Sequence, residues 1–298
     1  MNIDILNWNT LKDIPSASGI VKYKSNFYVI GDDSPYLFEI NNSFDLVSKT
    51  LIYSSDKLKG DTLLKVDKPD FEAMEMVSDT EILVFGSGSK SPERDICILI
   101  EIEEKVTYKE YDISLFYDYL RNLQVMESYE LDIEGLAFKE DLLYLFNRGR
   151  NIIFSFCYND FLNYCKTGEN FPIPVINLYS LPKIKGLQAG FSGGTTYGEK
   201  SYLLFTASVE DSPNAYEDGD ILGSFIGMIE INNNKLSDEY VIQRIPNPDF
   251  PLKVESIVVN KFLSKTETEL ILVTDNDGNP SQILTLRMEV NKGFNTIK

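Results

Sequence analysis

Two serines and three glutamates recur along the chain at similar intervals: Ser18, Glu72, Glu134, Ser192 and Glu255, separated by 54, 62, 58 and 63 residues. Hydroxyl and carboxylate oxygens brought to one point hold a hard cation or share protons. Ionised carboxylates about 6 Å apart repel by roughly 3 kcal/mol per pair at an effective dielectric of about 20. Such a group therefore protonates, takes up a cation, or sits hydrogen-bonded to strand ends and water. Calcium accepts roughly six to eight oxygen ligands in irregular geometry and suits this set better than magnesium, which demands a tight octahedron.

Two further sets could act beside it. Lys90, Arg94, Arg148 and Arg150 fall in Gly/Ser/Asn-rich segments, GSGSKSPERD and NRGRN, and could fork onto the oxygens of a phosphate or carboxylate. The alternative is that they pair with Glu93, Asp95, Glu210 or Asp220 and only shape the loops. Asp33, Asp211 and Asp275 lie in comparable loops and are candidate general bases. The run DNDG from Asp275 reads as a tight turn, because it lacks the later glutamate of a helix-loop-helix calcium site. The chain contains no histidine, which excludes Ser-His-Asp and Cys-His catalysis and imidazole-ligated metals. With 28 basic against 46 acidic residues the formal charge is −18, which repels nucleic-acid phosphates and anionic lipid and leaves small anions, held locally, or cations as partners.

The elements that must position these residues form an internal repeat. Each unit begins at one of the five residues and continues with a short strand, a turn, and a strand of β-branched and aromatic residues: FYVIG, EILVFG, LLYLFN, YLLFTA and LILVTD. A polar loop and an alternating strand follow, and four units add an outer strand, DLVSKTLIY, KVTYKEYD, IPVINLYSL and EYVIQRIP. Four antiparallel strands repeated five times describe an all-β, five-bladed β-propeller filling residues 1–298 as a single domain. The blades are placed near 18–53, 72–111, 134–181, 192–246 and 255–290. The last unit lacks an outer strand, and IDILNW, near Asn2 to Trp8, is expected to supply it and close the ring. Helical spacing predicts short helices near Ser114 to Met126 and Asn159 to Lys166, used for packing.

In such a ring the first residue of every inner strand faces the axis at the rim that also carries the loops with the arginines and aspartates. The series Ser, Glu, Glu, Ser, Glu, one per blade, resembles the calcium-dependent apyrase family. That resemblance implies Ser18, Glu72, Glu134, Ser192 and Glu255 as calcium ligands, and hydrolysis of nucleotide-like phosphoanhydrides as the activity. The GSGS, EGLAF and NRGR segments resemble still more closely a group of uncharacterised bacterial propellers. The expected function is a calcium-dependent hydrolase of a small phosphorylated molecule. The alternatives are a calcium-dependent lactonase or esterase, and a non-catalytic propeller with structural calcium that binds a ligand or a protein. The N-terminus lacks the basic and apolar regions of a secretory leader, no run reaches the ~18 apolar residues of a membrane span, and Cys97, Cys157 and Cys165 show no disulfide or metal spacing. A cytoplasmic protein with reduced thiols is expected.

Overall fold

The computed structural model describes residues 1–290 except 56, 59, 199–200, 212–218, 249 and 276–279. The DNDG turn expected from Asp275 thus lies mostly outside the described residues, as does the middle of the loop after Asp211.

After β1 (Asn2–Pro15), the first blade is β2 (Ala17–Tyr23), β3 (Asn26–Gly31), β4 (Tyr36–Ile40) and β5 (Leu46–Leu51). The second is β6 (Phe71–Met76), β7 (Glu81–Gly86), β8 (Ile96–Glu101) and β9 (Thr107–Asp112). Helix α1 (Ser114–Arg121) and a 3-10 turn (Gln124–Met126) lead to β10 (Ile133–Lys139), β11 (Leu142–Asn147) and β12 (Ile152–Cys157) of the third. Helix α2 (Tyr158–Thr167) intervenes before its outer strand, β13 (Val175–Leu178). A small hairpin, β14 (Lys183–Ile184) and β15 (Leu187–Gln188), lies in the connector to the fourth blade, β16 (Gly190–Thr196), β17 (Tyr202–Asp211), β18 (Asp220–Asn232) and β19 (Lys235–Arg244). The fifth contains β20 (Lys253–Phe262), β21 (Glu267–Asp275) and β22 (Pro280–Glu289), and its outer strand is β1. All five sheets are antiparallel, which makes the chain a five-bladed β-propeller closed by its N-terminal strand.

That closing strand is longer than the Asn2–Trp8 segment expected. Its pairing with β22 runs from Asn2 opposite Glu289 to Leu11 opposite Ser281, and Pro15 still faces Pro280. The bulge between Ile5 and Asn7 leaves Leu6 exposed, so the strand's apolar anchors are Ile3, Leu11 and Ile14. The link to the first blade continues through the Ala17 amide, which donates to Ser281 Oγ at 2.7 Å.

The core is divided among the five gaps between neighbouring blades, one apolar cluster in each. This explains why the second strands are apolar without alternation: EILVFG and LLYLFN are covered on both faces by adjacent blades. The predicted helices α1 and α2 thicken the gap between blades two and three, where Phe116 and Phe161 stack at 5.5 Å against each other and Phe161 reaches Phe85 at 5.4 Å. No helix among the described residues is long and apolar enough to cross a membrane.

Because β1 carries buried side chains for blade five, Leu11→Ala is expected to cost about 2–4 kcal/mol in urea denaturation. Trp8→Ala, at a position 41% exposed, is expected to cost less than half as much. Equal losses would contradict the observed register.

Candidate functional site

Each of the five spaced residues occupies the same special backbone position. Pairing between the first and second strand of every blade slips by one residue, between Ala17 and Gly19, Phe71 and Ala73, Ile133 and Gly135, Phe191 and Gly193, and Val254 and Ser256. The residues left without a cross-strand partner are Ser18, Glu72, Glu134, Ser192 and Glu255. A β-bulge re-aims the side chain it carries and bends the strand, and such bulges concentrate at functional rims. Backbones are tightly packed here: a Cβ on Gly135 would lie 2.7 Å from the Gly193 carbonyl carbon of the next blade, so only glycine fits.

The two serines join blades. Ser18 Oγ donates to the Phe71 carbonyl at 2.5 Å and Ser192 Oγ to the Val254 carbonyl at 2.6 Å, in each case the residue preceding a ring glutamate. Their hydroxyl oxygens keep lone pairs for a cation. Burial, followed by repulsion from Glu134, pushes the Glu72 carboxyl well above the usual range. Glu134 is pushed up to about 8 by burial and Asp132, and Glu255 up to about 8 by burial, with repulsion from Glu134 opposed by Lys253. One oxygen of Glu255, Oε2, is buried and without a hydrogen-bond partner.

A second layer lies two residues before the ring, at Asp70, Asp132 and Lys253. Asp70 is buried between Lys68, at 2.7 Å, and Arg94, and these cations hold its carboxyl below the ordinary range despite burial. Lys68 also contacts Asp32. Carboxylate oxygens of Asp32, Asp70 and Glu72 lie within 4.8 Å of one another. Lys253 Nζ stands 3.3 Å from Glu255, 3.5 Å from Asp275 and 3.6 Å from Glu210. Asp132, 4% exposed, is pushed up to about 7 by burial, against the pull of Arg148. Glu134, Glu255, Glu210 and Asp132 in turn keep the half-buried Arg148 guanidinium charged.

The four basic residues expected on the rim do not form one group. Arg148 and Arg150 line a cavity of about 730 Å³ together with Asp132, Tyr129, Tyr179 and Glu210. Arg148 donates to Ser208 Oγ at 2.8 Å and lies 3.6 Å from Glu210, while Arg150 pairs with Glu127 at 3.0 Å and stacks over Tyr129. Arg94 is withdrawn from this set: it is 2% exposed and its guanidinium donates to Asp70 and Ser89. Lys90 is half-buried, donates to the Val66 carbonyl and lies 3.7 Å from Glu93, outside that cavity.

The three aspartates expected as bases also separate. Asp275 is tied to Lys253, and Asp33, pushed up to about 6 by burial and Asp32, lines a different cavity with Lys12, Lys49 and Asp61. Asp211 is exposed at the last pair of β17 and β18, opposite Asp220. Among the carboxylates of the Arg148 cavity, Asp132 interacts electrostatically with both Arg148 and the ring residue Glu134, a position sequence reasoning missed. Its signal was present, because shifting the repeat by two residues aligns Asp70, Asp132 and Lys253 as a second layer.

A family model described as "Family of unknown function (DUF6929)" matches residues 13–288. The chain belongs to this family. No curated protein matches it. Among solved structures it is similar to the glutaminyl cyclase of Myxococcus xanthus, at 9% identity over 97% of both chains with a TM-score of 0.54. It is also similar to the virginiamycin B lyase of Staphylococcus aureus, at 11% identity over 96% of this chain and 100% of that one, with a TM-score of 0.42. At such identities the likeness concerns the fold and not the chemistry.

On the axis beyond the ring, Glu75 of blade two accepts from Thr195 Oγ1 of blade four at 2.7 Å and from the Met76 amide at 2.9 Å. Burial pushes its carboxyl up to about 7. A carboxyl raised on folding contributes stability that is full below its unfolded value near 4.5 and is lost as pH climbs through about 7. Glu75→Gln removes this titration, so in urea denaturation the variant should gain on the wild type between pH 4.5 and 7, by on the order of 3 kcal/mol. A constant difference across that window would show that Glu75 stays ionised.

Proposed function

We propose that the protein is a calcium-binding propeller that hydrolyses a small phosphorylated molecule held in the cavity of Arg148 and Arg150. The observation carrying this reading is the five-fold repetition of one β-bulge, at Ser18, Glu72, Glu134, Ser192 and Glu255, around an axis where carboxylates gather. The donor set fits calcium: every candidate ligand is oxygen, no imidazole exists in the chain, and Glu255 Oε2 is a buried acceptor in need of a partner. Among the described residues Lys68, Arg94, Arg148 and Lys253 offset part of the negative charge of Asp32, Asp70, Glu72, Asp132, Glu134, Glu210, Glu255 and Asp275. A divalent ion offsets two of the four charges left over, and protonation of the carboxyls that burial raises takes up the rest.

When bound, the ion supplies Lewis-acid polarisation of a phosphoryl oxygen. The chain supplies the rest. Arg150 stacks over Tyr129 at the outer wall with its Nη1 engaged by Glu127 and the Val125 carbonyl, and its Nη2 edge is the part offered to a phosphate. Arg148 is fixed by Ser208 deeper in the cavity and adds a second positive charge near the ring. Asp132, which lines the same cavity and interacts electrostatically with Arg148 and Glu134, is the group we assign to hold or release a proton at the attacking water. One observation favours a second reading, a non-catalytic binding propeller with structural calcium: Arg148 already has protein partners in Ser208 and Glu210.

Thermal unfolding in calcium against chelator tests the ion. At a hundredfold excess over Kd, calcium should stabilise the wild type by about 2.7 kcal/mol, and Glu134→Gln should lose most of that gain. No shift in either protein overturns the metal reading. With calcium shown, phosphate-ester hydrolysis that is lost in Asp132→Asn and Arg150→Gln supports the hydrolase, whereas calcium-dependent stability with no hydrolysis favours the binding propeller.

A further inference from the structure

A third cavity, about 790 Å³, opens between the β14–β15 hairpin and the rim end of blade four. Lys183, Lys185 and Arg244 line it beside an apolar wall of Ile221, Leu222 and Phe225. In a chain of formal charge −18, none of these three cations forms an ion pair among the described residues. Asp220 also lines the cavity but lies beyond ion-pair distance of them. The contrast with Arg94, Arg148 and Lys253, all paired with carboxylates, is direct.

Two features show that the cations are positioned. Arg244 Nη2 donates to the Leu222 carbonyl at 3.1 Å, which leaves the remaining guanidinium hydrogens for another acceptor. Residue 223 suits glycine: its φ of +132° is strained for other residues, and a Cβ would stand 3.2 Å from Nη2 and press the guanidinium aside by a few tenths of an ångström. The hairpin turn places Lys185 at φ +51° and Gly186 at φ +90°, the left-handed pair of a two-residue turn in which asparagine or aspartate normally takes the first position. A lysine there bears a steric cost that asparagine or glycine would largely avoid. Ile184, buried between Lys183 and Lys185, pins the hairpin into the apolar cluster of blades three and four.

We propose that this cavity binds a small organic phosphate, a phosphomonoester whose dianionic head meets Lys183, Lys185 and Arg244 and whose apolar body lies on Ile221, Leu222 and Phe225. Three cations compensate a dianion, and the guanidinium fork matches two phosphate oxygens. The site uses none of the axial residues and stands whether or not the ring holds calcium.

Site-resolved lysine acetylation tests it, with phenyl phosphate as the probe and mass spectrometry as the readout. Phenyl phosphate at up to about 10 mM should slow acetylation of Lys183 and Lys185 at least fivefold while leaving the exposed Lys24 and Lys166 unchanged. Arg244→Gln, an exposed substitution that spares the core, should remove the protection. Equal labelling with and without the probe overturns the site, and protection that survives Arg244→Gln overturns the three-cation assignment. Inorganic phosphate that protects as well as phenyl phosphate overturns the role of the apolar wall.

Discussion

The structure is organised around a repulsion. Five identical β-bulges deliver their side chains to the axis, and three of these are glutamates, joined by Asp70 and Asp132 from the layer two residues earlier. A closed ring gives these groups no way to spread apart, because moving one inner strand outward would open the apolar gaps on both of its sides. The protein meets the repulsion with internal ammonium and guanidinium groups: Lys68 between Asp32 and Asp70, Arg94 on Asp70, Lys253 among Glu210, Glu255 and Asp275. These partners do not remove the strain on Glu72, Glu134 and Glu255, whose carboxyls remain raised by burial.

What makes the repulsion bearable is the way the apolar surface is distributed. With one cluster in each gap between blades, every blade is held on both sides, and the last gap is sealed by Leu11 and Ile14 of the N-terminal strand. A buried ion pair adds little net stability, while an uncompensated buried charge costs several kcal/mol. Holding the axial groups therefore depends on the hydrophobic seams, each of which sequesters about a dozen or more side chains at roughly 1.5–3 kcal/mol apiece. The struts from Ser18 to the Phe71 carbonyl and from Ser192 to the Val254 carbonyl then fix neighbouring blades at the level of the ring.

The repeat was readable because both its signals are local. Doubly covered second strands read as apolar runs such as EILVFG, and the ring residue recurs near the start of each inner strand, at its second or third position and not the first as expected. The outer strand from the N-terminus could be anticipated by counting strands per unit, yet its extent could not, since Thr10, Leu11 and Pro15 find partners only because β22 reaches back to Pro280. Partner choice was illegible. Arg94 sits five residues beyond Ser89 in a loop that resembles an anion cradle, but it folds inward onto Asp70, the residue just before β6. Lys253 and Lys68 lie outside any recognisable motif, and their roles follow from three-dimensional proximity to carboxylates drawn from other strands and loops.

The connector between blades three and four ties the cavities of Arg148 and Arg244 to one another. Residues 179–190 form a shared wall, with Tyr179, Ser180 and Gln188 to Gly190 on the side of Arg148, and Pro182 to Lys185 on the side of Arg244. Asn151 clamps this wall at both ends: its carbonyl accepts from the Tyr179 amide at 2.9 Å, its Nδ2 donates to the Ala189 carbonyl at 2.8 Å, and its Oδ1 accepts from the Phe191 amide at 2.9 Å. The residue is buried and left-handed at φ +51°, a conformation asparagine tolerates better than most side chains. One side chain in the NRGRN turn thus sets the position of the inner strand carrying Ser192 and of the hairpin carrying Lys183 and Lys185. The ring and the outer cavity share this support, so the geometry of either one constrains the other through Asn151.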